Sequence, residues 1–285
     1  MSFLRNAEGR IRAPFVVGGF TLIAVTTEFT FAVLLGMLRI SGFDTLDDTL
    51  RVFASSGTML LSALAATIAG WLLFRESTGL SERFPQVRFG FGFLLGALAI
   101  AVSCLVPALT GATTLHLGAY GPNVLLGAGV AQLISLAPSG FAEELFLRGL
   151  GFQALRRGVG DVPAVLVSSL VFGGLHLFNP NSSRIAVVAI ALVGIWFGAL
   201  TIRTGSVWTA MGVHVAWNFF EGFVFGQPVS GARPGISILV GPAQGSPGFW
   251  SGGAFGPEAA GWTAVVLCIA IVLTITIPKR SDVLT

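Results

Sequence analysis

Eight runs of apolar residues, most of them long enough to cross a bilayer, set the terms on which this chain folds. A helical crossing takes roughly 20 apolar residues to span ~30 Å of hydrocarbon. The runs are 15–38, 52–74, 89–109, 124 to about 155, 162–178, 185–202, 207–225 and 259–277. Over 285 residues, 54% are hydrophobic and only 10% charged, which leaves too little polar surface to keep these runs in water. That argues against a soluble enzyme, a disordered chain and a nucleic-acid binder with a basic face. The expected fold is all-α, a polytopic membrane helical bundle of about eight transmembrane helices. Cys104 and Cys268 both lie in apolar runs, so no disulfide framework is available.

The fourth run is too long for one flat crossing, and Pro138 predicts a kink in it. The first run follows Arg5, Arg10 and Arg12, but its length and its lack of a small-residue cleavage site read as a retained span rather than a signal peptide. With a cytoplasmic N-terminus, the inner segments collect Arg5, Arg10, Arg12, Arg75, Arg83, Arg88, Arg156, Arg157, Arg203, Lys279 and Arg280. The outer segments collect Arg39, Arg51, Arg184 and Arg233, and Arg148 is intramembrane. The positive-inside bias then predicts an integral membrane protein with both termini cytoplasmic and membrane lipids as its surroundings. Residues 226–257, rich in Gly, Pro and Ser, are expected to lack regular structure. The chain divides into N-terminal spans (1–121), a polar-bearing core (122–226), and an extracytoplasmic loop with the last span (227–285).

Ionisable groups at bilayer depth are costly and mark functional sites. This chain concentrates them in Glu143-Glu144-x-x-x-Arg148 on the fourth run, Phe172-x-x-x-His176 on the fifth and His214-x-x-x-Asn218 on the seventh. Glu144 and Arg148 are four apart on one helix face and can neutralise each other. Glu143 has no local cation and must look to another helix. Adjacent carboxylates also push their pKa values apart, which suits proton transfer. Counting from the turn near 157–160, Glu143 and His176 come to matching depth at ~1.5 Å per residue. Gly173 and Gly174, Gly194 and Gly198, and Gly222 and Gly226 offer small faces for close helix approach around a shared polar chamber.

These three motifs, in this order on successive apolar segments, resemble the CPBP family of intramembrane proteases, the CAAX prenyl endopeptidase and bacteriocin-processing enzymes also called Abi proteins. The matching positions are Glu143, Glu144, Arg148, Phe172, His176, His214 and Asn218, within about 136–220. The resemblance makes 122–226 a catalytic core and implies an intramembrane endopeptidase acting on a peptide, or on a lipidated or other membrane-associated protein. It implies Glu143 as the base that activates water, His176 holding that water, and His214 with Asn218 facing the oxyanion. Glu144, Arg148 and Phe172 would support them. A second version, a metalloprotease, puts zinc on His176, His214 and Glu144, a His₂Glu set; no other cofactor is implied.

Each feature also has a plainer account. Glu144–Arg148 reads as a structural ion pair, and a solitary intramembrane His or Asn reads as interhelical glue. Glu28 and Glu221 are intramembrane acids without an assigned role. The rival to an enzyme is a non-catalytic membrane immunity or peptide-binding protein; a transporter lacks any repeat symmetry to support it.

Overall fold

The computed structural model describes residues 4, 10–40, 48–233, 235–242 and 248–279. Arg5 and Arg280, and the side chains of Arg39 and Arg51, lie outside the described residues. The order is α1 (Ala13–Ile40), α2 (Asp48–Phe74), α3 (Pro85–Leu109), β1 (His116–Leu117), α4 (Pro122–Arg148), α5 (Leu150–Val159), α6 (Asp161–Leu175), α7 (Arg184–Thr204), α8 (Val207–Phe219), β2 (Leu239–Val240) and α9 (Gly261–Thr276). Single 3-10 turns, His176–Phe178 and Pro257–Ala259, follow α6 and precede α9, and a π turn, Phe220–Val224, continues α8.

All eight apolar runs fold as helices. Six are long and apolar enough to cross a membrane, and the chain is an integral membrane protein. The remaining two are shorter, α8 with 13 residues before its π turn and α9 with 16. Bulky apolar side chains such as Leu94, Leu98 and Leu170 stay exposed on the outside of the bundle, where a soluble protein would bury them. Local signals fix several ends. Proline opens α3 and α4, where its missing N–H costs nothing. Ser183 Oγ accepts the Ala186 N–H to cap α7, and Gly205 closes it in the left-handed region at φ 68°.

One expectation gains detail and another is corrected. Pro138 lies within α4, and the fourth run is divided at Gly149, with φ −75° and ψ −142°. A Cβ there would lie 2.2 Å from the Leu145 carbonyl oxygen, so the chain turns into α5 where only glycine fits. The 226–257 stretch is not devoid of regular structure. β2 pairs antiparallel with β1, His116 opposite Val240, and Val229 bridges Ala232. The 226–257 loop is thereby fastened to the α3–α4 connection through the β1–β2 pair.

At the opposite end, Asp161 binds Arg156 at 2.8 Å and Lys279 at 2.7 Å, while Arg157 pairs with Glu76 and donates to the Ile11 carbonyl. Segments near both termini thus meet at one end of the bundle, as an even number of crossings requires.

Glycine sets the interior spacing. A Cβ on Gly92 or Gly96 of α3 would meet the carbonyl oxygens of Thr209 or Val213 at 2.0 and 2.4 Å, and one on Gly212 would meet Phe89 O at 2.1 Å. Backbone therefore lies on backbone between α3 and α8. Gly173 lies against Val187 of α7, and Gly194 of α7 against Ser169 of α6, as their small faces suggest; Gly174 faces open space. Ile100, Phe172, Trp196, Phe197, Val213 and Trp217 fill the main apolar cluster between these helices.

Candidate active site

α4, α6 and α8 bring the three sequence motifs together. Glu144 and Arg148, one turn apart near the end of α4, are fully buried and joined at 3.2 Å. Burying two charges is tolerable only when each is paired and further hydrogen-bonded. Arg148 meets that condition: Nη2 donates to the Gly194 carbonyl at 3.1 Å, and its guanidinium lies 4.8 Å from the centre of the Phe172 ring and 5.5 Å from that of Phe197. Glu144 reaches further than its own helix. The Oε1 that accepts from Arg148 also lies 3.0 Å from His214 Nδ1. Since this oxygen already accepts from Arg148, Nδ1 is the donor of the contact, and His214 turns Nε2 away from Glu144.

Glu143 meets that far edge. Its Oε2 lies 3.8 Å from His214 Nε2 and has no hydrogen-bond partner, and its side chain is 20% exposed, the most open of the group. His176 is set by different means. It ends α6 in a 3-10 turn, and Nδ1 donates to the Phe172 carbonyl at 2.8 Å, again freeing Nε2. Phe172 spaces the imidazoles, with His176 edge-on at 4.7 Å and His214 at 5.9 Å between ring centres. Asn218, one turn beyond His214, is buried, and no hydrogen bond engages its amide among the described residues. Directly after it the helix widens into the π turn, a local distortion common at functional sites.

The zinc set His176, His214 and Glu144 does not fit this geometry. Glu144 occupies the Nδ1 edge of His214, while the lone pair that a metal would use is on Nε2. Among the described residues no three His, Cys, Asp or Glu side chains gather as a metal-holding group.

Glu28 lines a cavity of about 620 Å³ between α1, α4, α5 and α6, with one carboxylate oxygen buried and unpartnered. Glu221 lies in the π turn, fully buried, with neither oxygen hydrogen-bonded. The motif reading passes over Glu258, which precedes α9 and is buried beside the site. Burial pushes its carboxyl above the ordinary carboxylate range, while His176, the Ser230 hydrogen bonds and His214 pull the other way. Only its position directly before the last apolar run marks it in the sequence, and that is equally the mark of an ordinary interfacial acid.

Comparison with known proteins points to the same segment. A family described as type II CAAX prenyl endopeptidase Rce1-like matches residues 122–220. A curated relative, the uncharacterized protein YyaK of Bacillus subtilis (strain 168), is 28% identical over 151 residues, covering 52% of this chain and 50% of the relative. The chain thus spans about half the length of the curated relative it matches. Over residues 122–220, the stretch that supplies every motif side chain described above, this chain is similar to the Rce1-like family of type II CAAX prenyl endopeptidases.

Proposed function

We propose that this chain is an intramembrane endopeptidase in which Glu143 activates water against a peptide bond. The observation that carries the reading is the Glu143 carboxylate: on a side chain still 20% exposed, its buried Oε2 has no hydrogen-bond partner and lies 3.8 Å from the His214 ring edge that faces away from Glu144. A general base needs a free lone pair within reach of a water. Water held between Glu143 and His176 Nε2 loses a proton to Glu143, and the resulting hydroxide attacks the carbonyl carbon. The oxyanion takes hydrogen bonds from the Asn218 amide and from His214 when its Nε2 carries a proton. When the tetrahedral intermediate collapses, Glu143 returns the proton to the leaving nitrogen. Glu144 and Arg148 carry no proton in this scheme; they hold His214 and balance its charge.

The substrate we infer is a membrane-associated peptide or protein bearing a lipid chain. The 620 Å³ cavity supports this, since it is large enough for a ligand, almost wholly apolar, and lies against the two helices that carry Glu143 and His176. Its wall includes Leu147, one turn past Glu143, and Leu175, immediately before His176. The Arg156, Arg157 and Lys279 end is read as cytoplasmic by the positive-inside bias.

The test is cleavage by the purified full chain in lipid nanodiscs. Two reporter peptides, identical except for a prenyl group on the cysteine before the C-terminal tripeptide, separate lipid recognition from proteolysis. Release of the tripeptide from the prenylated peptide, lost in Glu143→Gln, is the expected result. Binding of either peptide without cleavage would favour the immunity or peptide-binding alternative.

A further inference from the structure

Among the buried acids that the hydrolytic scheme leaves without a task, Glu258 makes hydrogen bonds that lead back to the site. Glu258 is 5% exposed and stands in the 3-10 turn before α9, outside the 122–220 match. Its Oε2 accepts both the backbone N–H and the hydroxyl of Ser230, at 2.7 and 2.8 Å. Ser230 needs such a hold, because it sits at φ 47°, in the left-handed region that residues with a Cβ rarely adopt. From Ser230 the connections lead straight back to the site. The Ser230 carbonyl accepts from Asn179 Nδ2 at 3.2 Å, and the Gly231 carbonyl accepts from Asn181 Nδ2 at 3.1 Å. Asn179 N donates in turn to the His176 carbonyl at 3.2 Å.

Other contacts keep the same turn in place. Gly231 N donates to Phe255 O at 2.8 Å, and Phe255 is buried in the apolar cluster that contains Phe172. Gly231 and Gly256 leave no room for a Cβ, each lying against a proline carbonyl, Pro180 O and Pro228 O respectively. The described part of this loop is therefore a packed cap, and the carboxylate of Glu258 is fastened through Ser230 to the loop that follows the His176–Phe178 turn.

We propose that Glu258 is a positioning residue of the site, clamping the cap onto the 179–181 loop through Ser230 and so fixing the turn that carries His176. Where it concerns turnover the proposal rests on the endopeptidase reading, but the clamp itself is observable without a substrate. The clamp needs an oxygen that accepts two hydrogen bonds, which a glutamine side chain also supplies and an alanine does not.

The chain contains three histidines, so ring ¹³C and ¹⁵N signals of histidine-labelled full chain in nanodiscs can be assigned with His116→Gln and His176→Gln. Glu258→Ala and Ser230→Ala should each shift or broaden the His176 signals and leave those of His116 in place, and Glu258→Gln should restore them. With the prenylated reporter peptide, Glu258→Ala should lower kcat about tenfold or more with KM nearly unchanged, as a small misplacement of a reacting group does. Unmoved His176 signals in both alanine variants would overturn the clamp, as would a glutamine variant as damaged as the alanine one. If Glu258→Ala does not fold, Ser230→Ala and Asn179→Ala carry the test. A chain that cleaves nothing while its His176 signals still follow the clamp would sink the endopeptidase reading and leave this one standing.

Discussion

Glu144 and His214 come from helices far apart in sequence, yet Oε1 of the one lies 3.0 Å from Nδ1 of the other, while the same oxygen accepts from Arg148 at 3.2 Å. One buried oxygen therefore joins the charge balance of α4 to the orientation of an imidazole on α8. The adjacent carboxylates divide sharply: Glu144 is fully buried and ion-paired, whereas the Glu143 side chain keeps 20% of its surface exposed.

That division gives the first prediction. Glu143→Gln should reduce cleavage by about two to four orders of magnitude, the range of a general base, with little change in thermal unfolding. Its carboxylate has no partner to lose apart from His214 at 3.8 Å. Parallel turnover and melting measurements in detergent check both halves.

Glu144 should behave in the opposite way. Glu144→Ala leaves the Arg148 guanidinium buried without its counter-charge, a loss of about 3–5 kcal/mol. Adding Arg148→Ala should recover a large part of that stability but none of the activity, because His214 still lacks its anchor. A double-mutant cycle on unfolding, paired with turnover, reads this directly.

Asn218→Ala should lower kcat by about 10²–10³ while KM changes little, since an oxyanion donor acts mainly in the transition state. A comparable rise in KM would mean that the amide binds ground-state substrate instead.

Gly96 is the packing test. Gly96→Ala puts a Cβ 2.4 Å from the Val213 carbonyl oxygen, next to His214, with no side chain free to yield. Destabilisation of about 1–3 kcal/mol is expected, with turnover falling as well. Gly174→Ala, on the same kind of helix but facing open space, should be close to neutral on both counts.

Excess chelator should leave cleavage intact. The His176 and His214 rings each commit Nδ1 to a protein acceptor, and among the described residues no third metal-binding group joins them. Loss of activity that zinc restores would contradict the metal-free scheme.

Much of this was legible in the linear chain. Eight long apolar runs with few charges dictate a helical membrane bundle, because a backbone in hydrocarbon must satisfy its own hydrogen bonds. Glu143, Glu144, Arg148, Phe172, His176, His214 and Asn218 stand out because polar groups at such depth are rare and expensive, and the four-residue spacing within each motif is a local helical property. Contacts between helices carry no such period. The break at Gly149 depends on whether a turn at that point lets α5 pack, which propensity does not reveal. The close α3–α8 contact needs Gly92, Gly96 and Gly212 to face each other, but each glycine reads alone as ordinary small-residue content of a membrane span.

The amino-acid order alone determined the membrane class, the helices and the set of polar residues available for chemistry, since all of these follow from hydrophobic burial and helical period. Tertiary packing decided which glutamate is ion-paired and which is not, on which ring edge each histidine is held, and that a distant acid, Glu258, is bonded to Ser230. Those choices are distances between segments scores of residues apart, and only the folded backbone fixes them.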